Sequence, residues 1–241
     1  MLYTSIENKR IKEIKKLNNK KYRKETGLFI IESEHLIKEA YKNGYLKELI
    51  LLENTEYKLN IETNYVTEKV MKYITELDTI PNMVGICNKI KEKELGNKIL
   101  VLDGIQDPGN LGTIIRSAVA FHTDTIVLGN NTVDLYNTKV LRASEGMIFN
   151  INIIEKKLTE FIPKLKDMKF QIVGTKVTNG KDIKELEKNK KICIIMGNEG
   201  NGISNEILNL CDDYIYIKMN NNCESLNVGV ATSIILYEMD K

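Results

Sequence analysis

Apolar residues along the chain fall into short runs that alternate with stretches where they recur at helical spacing. At the N-terminus, Thr4-x-x-Glu7 reads as a capping box that opens a helix, with Ile11, Ile14 and Leu17 on one face and lysines on the others. β-Branched content predicts a strand at Leu28–Glu32. Ser33 then caps a helix holding Leu36, Ile37, Ala40 and Tyr41, and Gly44 occupies its C′ position. Leu46–Leu52, Tyr65–Val66 and Met83–Cys87 predict strands, with a helix over Glu68–Thr75 between the last two. This alternation predicts a small α/β domain over residues 25–90.

A charged stretch, KIKEKELGNK, then interrupts the pattern and reads as an interdomain linker. Strands are predicted at Ile99–Leu102, Thr125–Leu128, Ile151–Ile154, Phe170–Gly174, Lys191–Met196 and Tyr214–Ile217. Helices are predicted over Gly112–Phe121, Lys139–Ser144, Phe161–Lys166, Asn205–Leu210 and from Leu226 onward, where Val230, Ile234 and Tyr237 recur. The expected fold class is α/β, with a mostly parallel sheet in the second half covered on both faces. The boundaries expected are a basic helix over 1–24, a first domain over 25–90, a linker over 91–97 and a second domain over 98–241.

Composition adds one asymmetry. The net charge is only +2, yet residues 1–24 hold nine Lys or Arg against two acids. Concentrated positive charge is the footprint of a polyanion partner, although a solvated basic helix looks the same by charge alone. Lys12, Lys16, Lys20, Lys21 and Arg23 are the candidate nucleic-acid contacts within this segment. No apolar run is long enough for a transmembrane helix, and MLYTSIENKR lacks a signal-peptide core, so the expectation is a cytoplasmic protein with no membrane partner. Cys87, Cys193, Cys211 and Cys223 are scattered, and His35 and His122 do not complete a zinc spacing, so reduced, mostly buried thiols and no metal are expected.

Three loops carry candidate chemistry, each at the C-terminal edge of a predicted strand, where α/β sheets bind ligands. DPGNLGTIIRSA places Asn110 just before a helix and Arg116 one turn beyond Gly112; it lacks the Lys-Ser/Thr of a Walker A loop. MGNEGNGIS holds three glycines that allow close backbone approach, and its Glu199 disfavours a diphosphate and suits a neutral or cationic ligand. In YIKMNNNCESLNVG, Ser225 and Asn227 stand at a helix start, beside unpaired N–H groups.

Together these loops resemble the SpoU (TrmH-type) branch of the SPOUT RNA methyltransferases, over residues 98–241. The segment KKYRKETGLFIIESEHLIKEA resembles the substrate-binding domain of rRNA-directed members, itself similar to the RNA-binding fold of kink-turn ribosomal proteins. The resemblance implies a deep C-terminal trefoil knot, a homodimer, S-adenosyl-methionine as cofactor, and methyl transfer to a ribose 2′-hydroxyl, with 23S rRNA as the substrate. It implies that Arg116, Asn110, Glu199, Ser225 and Asn227 are catalytic. It implies that Gly197, Ile217, Met219 and Leu226 cradle the cofactor, with Thr175 at the end of the preceding strand. Arg142, in KVLRASEG, takes an RNA or interface role. Three positions depart from the family pattern: Lys218 replaces Pro, Asn221 replaces Gly and Gly229 replaces Ser; a left-handed backbone is expected at Asn221. Because a guanidinium keeps its proton in proteins, the reading gives Arg116 a phosphate- or oxyanion-holding role. A tRNA substrate, a non-catalytic RNA-binding or assembly factor, and a small-molecule enzyme on the same sheet stay open at this point.

Overall fold

The computed structural model describes residues 1–178, 180–186 and 190–241. It divides into two compact units, residues 1–91 with 134–149, and residues 92–133 with 150–241.

The first unit runs β1 (Leu2–Tyr3), α1 (Lys9–Lys16), α2 (Lys20–Thr26), β2 (Leu28–Ile31), α3 (Glu34–Lys42), β3 (Leu46–Leu52), β4 (Glu62–Val66), α4 (Glu68–Ile74) and β5 (Met83–Asn88). The strands lie in the order β1-β4-β3-β5-β2, with β1, β4 and β3 parallel and β5 antiparallel to both of its neighbours. Ile11, Ile14 and Leu17 pack with Ile30, Ile50, Val84 and Ile86 of the sheet and Val70, Met71 and Ile74 of α4. Ser33 caps α3 by accepting the Leu36 N–H at 3.3 Å, and Gly44 follows in the left-handed region, as the pattern predicts.

The basic segment departs from expectation. Thr4 and Glu7 form no capping box, because Leu2–Tyr3 is spent as an edge strand against β4. The cap of α1 is Asn8, whose side chain accepts the Arg10 N–H at 2.8 Å. Nor is the segment one helix. Asn19 caps α2 by accepting the Lys21 N–H at 2.8 Å, and the Asn18 amide donates to the Ile74 carbonyl at 3.0 Å, so the chain turns between α1 and α2.

The second unit runs β6 (Lys98–Asp103), α5 (Pro108–Ala120) and β7 (Thr125–Leu128). The chain then leaves it for α6 (Thr138–Ala143) and a 3₁₀ turn (Met147–Asn150), most of which pack with the first unit. There the Phe29 ring meets Tyr136 at 4.6 Å and Phe149 at 6.3 Å, and the Tyr136 hydroxyl accepts the Ile90 N–H at 3.0 Å. The chain returns as β8 (Asn152–Glu155), α7 (Leu158–Asp167), β9 (Gln171–Thr175) and β10 (Lys181–Asp182). It closes with β11 (Ile192–Gly197), α8 (Asn205–Leu208), β12 (Asp213–Tyr216) and α9 (Val228–Asp240).

Among the described residues these strands form one sheet ordered β10-β12-β9-β11-β6-β7-β8, in which every pairing is parallel. The two-residue β10 was not anticipated. Ile99–Leu102 is buried on both faces, as a continuous apolar run requires in a parallel sheet. Ile162 and Leu165 of α7 pack against Ile172, Cys193 and Ile195 of the sheet. From β6 the order runs to β7 and β8 on one side and to β11, β9 and β12 on the other. The loops after β6 and β11 therefore flank a topological switch point, where open α/β sheets form a ligand crevice.

No helix among the described residues is long and apolar enough to cross a membrane, and no cluster of His, Cys, Asp and Glu among them could hold a metal ion. All four cysteines are free; burial pushes the Cys87 and Cys193 thiols up, Cys211 is half-buried and Cys223 is exposed.

Candidate active site

The loop after β6 enters α5 earlier than the pattern predicts. Asp107 is the cap, accepting the Asn110 N–H at 2.8 Å, and Pro108 occupies the first turn, where its missing N–H is no loss. Asn110 thus belongs to the first turn of α5 rather than preceding the helix. In the loop after β11, the Asn198 side chain accepts the N–H groups of Gly200 (2.9 Å) and Asn201 (3.1 Å) and donates to the Gly104 carbonyl (2.8 Å). A Cβ on Gly197 would lie 2.1 Å from the Gly202 backbone, so only glycine lets this loop fold back on itself. Sequence reasoning passed over Asn198, though an Asn opening a Gly-rich turn is a signal for an Asx turn.

These loops meet in one polar chain. The Glu199 carboxylate accepts the backbone N–H groups of Asp107 (3.0 Å) and Gln106 (3.1 Å) and the Asn110 side-chain amide (3.0 Å). The Asn110 oxygen accepts from the Asn227 amide at 2.8 Å. Asn227 in turn caps α9, accepting the Gly229 N–H at 2.9 Å and the Val230 N–H at 3.3 Å. Each amide is used at both ends, which fixes its orientation. Burial opposes ionisation of Glu199, but the Asn110 amide and the backbone N–H groups of Asp107, Glu199 and Gln106 outweigh it. Its carboxyl therefore sits below the usual carboxylate range.

Beside this chain lies a cavity of about 530 Å³ at the ends of β9, β11 and β12. Thr175, Gly197, Ile217, Met219, Ser225 and Leu226 all line it, as does Glu199. Its volume suits a nucleoside-sized ligand. Among the described residues the charged ones on its wall are Lys176 and Glu199, and Lys176 is already drawn over the Tyr214 ring at 3.6 Å. The donor set thus suits an uncharged base or a cationic group rather than a polyphosphate. Asn221 does not take the left-handed backbone expected of a glycine replacement. The Asn220 side chain makes the turn instead, accepting the Asn222 N–H at 2.9 Å.

Arg116 lies on α5, exposed, and its guanidinium makes no ion pair or hydrogen bond among the described residues. Arg142 lies on α6 in the first unit, with Nη1 3.9 Å from Glu32. Lys12, Lys16, Lys20 and Lys21 are exposed. Arg23 corrects the sequence reading: it is 6% exposed, donates to the Leu17 and Asn18 carbonyls at 2.8 Å each, and pairs with Asp134. A charge count cannot separate such a buried arginine from its exposed neighbours. The stripe Val230–Tyr237 also differs, since both residues are about half exposed while Val228, Thr232, Ile235 and Leu236 form the buried face of α9. Ser233 of α9 meets Ser117 of α5 at 2.7 Å, a close approach that small side chains allow.

The model of the SpoU rRNA Methylase family matches residues 97–237, more than half of the chain. The chain belongs to the SpoU rRNA methylase family. A second model, the MRM3-like substrate binding domain, matches residues 8–85. Within the SpoU family, the chain is 36% identical to the Bacillus subtilis 23S rRNA (guanosine(2553)-2′-O)-methyltransferase RlmP, covering 98% of this chain and 97% of that one. The AdoMet-bound rRNA methyltransferase from Sinorhizobium meliloti superposes with a TM-score of 0.87 at 29% identity, covering 99% of this chain and 97% of that one. The SpoU methyltransferase AviRb from Streptomyces viridochromogenes shares the fold, with a TM-score of 0.87 at 22% identity over 97% of each chain.

Proposed function

We propose that the protein is an S-adenosyl-methionine-dependent RNA methyltransferase that methylates a ribose 2′-hydroxyl of 23S rRNA. The observation that carries this reading is the hydrogen-bonded run Asn227–Asn110–Glu199, which ties three loops together beside the cavity. The full-length likeness to the Bacillus subtilis enzyme supports the substrate. S-adenosyl-methionine, when bound, supplies a methyl group already activated by its sulfonium.

The chain's own residues have two tasks. Gly197, Ile217, Met219, Leu226 and Thr175 form the cofactor wall, and Ser225 shapes the hydroxyl site next to it. A ribose hydroxyl is a poor nucleophile, so the protein must hold its oxygen in line and stabilise alkoxide character. Arg116, exposed and without a partner among the described residues, holds the substrate phosphate and stabilises the developing oxyanion. Glu199, Asn110 and Asn227 keep the first turns of α5 and α9 in register, and so fix where Arg116 starts. Lys12, Lys16, Lys20 and Lys21 supply salt-sensitive phosphate contacts. The reading includes a cytoplasmic homodimer with a knotted C-terminus; the exposed Val230 and Tyr237 on α9 are apolar surface for a second copy to cover.

Calorimetric titration of S-adenosyl-methionine, with Leu226→Arg as control, tests the reading. Saturable binding that is lost in the control is expected, followed by loss of one 2′-O-methyl mark in 23S rRNA from cells lacking the gene. A folded wild-type protein that binds no cofactor rejects the enzyme assignment. A missing mark on tRNA instead of rRNA rejects the substrate.

A further inference from the structure

We propose that Glu32 is a positioning residue, holding the Arg142 guanidinium at the surface of the first unit for an RNA phosphate. The proposal rests on the RNA-methyltransferase reading and adds a part to its substrate-binding unit.

Glu32 directly follows β2 and is only 3% exposed. One carboxylate oxygen accepts the Glu76 backbone N–H at 3.0 Å. The other is enclosed and has no hydrogen-bond partner among the described residues. Arg142 Nη1 lies 3.9 Å from that oxygen, within ion-pair range but beyond a hydrogen bond. A desolvated carboxylate with an unpaired oxygen is costly to keep, and an isosteric neutral residue avoids the cost. Three groups besides the Glu76 N–H act on it: Arg142, Lys15 and the Glu76 carboxylate, which itself accepts from the Thr138 hydroxyl at 3.2 Å. Burial pushes the Glu32 carboxyl up, and the Glu76 N–H and the Arg142 charge pull it back.

Arg142 is the other half of the observation. Its side chain is 36% exposed, and its guanidinium donates no hydrogen bond among the described residues. It is attracted by Glu32 but not consumed by it. Arg23 shows what a structural arginine in the same unit looks like: buried, with two carbonyls and an aspartate engaged. An arginine steered by a buried charge, with its donors free, is preset for bidentate capture of a phosphate.

Glu32→Gln keeps the volume and the acceptor for the Glu76 N–H and removes only the charge. It is compared with Arg142→Ala and the double variant for thermal unfolding, cofactor titration, and binding of an unmodified 23S rRNA transcript across a salt series. In Glu32→Gln the midpoint of unfolding is expected to hold or rise, while RNA affinity falls about three- to tenfold and cofactor binding is unchanged. The double variant is expected to bind RNA no worse than Arg142→Ala, since Glu32 acts through Arg142. A lowered midpoint with unchanged RNA affinity overturns the proposal and makes the pair a structural clip. Additive losses, or full RNA affinity in Arg142→Ala, also overturn it. The wild-type cofactor titration reports separately on the methyltransferase reading.

Discussion

Asn110, Glu199 and Asn227 in the second unit direct their polar groups at one another and at backbone N–H groups beside the helix starts, whereas Lys16, Lys20 and Lys21 in the first stand exposed with no carboxylate partner among the described residues. The difference follows from what each region is proposed to do. Methyl transfer needs reacting atoms held within fractions of an ångström, which only a saturated, mutually restrained network provides. Polyanion binding needs charge density, and it tolerates flexible side chains because released counterions, rather than fixed geometry, supply the free energy. Arg116 is the informative mixture, a cation with no partner among the described residues, mounted on a restrained helix.

Four changes test that contrast. Arg116→Ala is expected to lower turnover by about a thousandfold or more while calorimetry still shows cofactor binding; near-wild-type turnover would remove Arg116 from the site. Asn110→Ala breaks the bonds to both Glu199 and Asn227, and a loss of about a hundredfold in kcat is expected. If kcat instead holds and only the unfolding midpoint drops, the network is a scaffold and the contrast between the units weakens. Replacing Lys12, Lys16, Lys20 and Lys21 by Ala together is expected to weaken RNA binding by about tenfold and to flatten the salt dependence by up to about four units of slope. Turnover at saturating RNA should be untouched, and an unchanged slope would clear these lysines of phosphate contact.

The smallest effect concerns pH. The folded Glu199 carboxyl is held below its ordinary value, so its contribution to stability is present above the ordinary carboxylate pKa of about 4 and is lost as pH falls through the folded value. Unfolding of the wild type and Glu199→Gln, followed from neutral pH downward, should converge in that acid window. A constant gap between the two would mean that the carboxylate charge is not what the loop holds.

Much of the fold was legible where local pattern and tertiary role agree. Leu46–Leu52 and Thr125–Leu128 form strands with the predicted ends, because the apolar stretches within them, Leu49–Leu52 and Ile126–Leu128, sit in a sheet core. The edge strand Leu2–Tyr3 was invisible because its pairing with β4 is purely nonlocal. The break at Asn18–Asn19 was a missed cap signal, hidden inside a run of lysines. In the site, Asn110, Glu199 and Asn227 stood out as polar residues in loops beside glycine or helix starts. Their contact did not, since it depends on β11 pairing with β6 across nearly ninety intervening residues of unrelated pattern. Arg23 and Lys21 look alike in sequence, yet Arg23 is buried against the Leu17 and Asn18 carbonyls and paired with Asp134, far along the chain, while Lys21 stays exposed.

The excursion of residues 134–149 has a consequence for the order of events during synthesis. The first unit is not contiguous in the chain, so it lacks Tyr136, Phe149 and the Asp134 partner of Arg23 until residue 149 has emerged. At about 5–20 residues per second, the wait after Lys91 is roughly 3–12 s. During that interval β6, α5 and β7 emerge while Phe29 lacks both of its ring partners and Arg23 its carboxylate. Nascent chains stalled before and after residue 149 should therefore differ sharply in protease resistance near Phe29. The N-terminal half of the protein matures on a clock set by its middle.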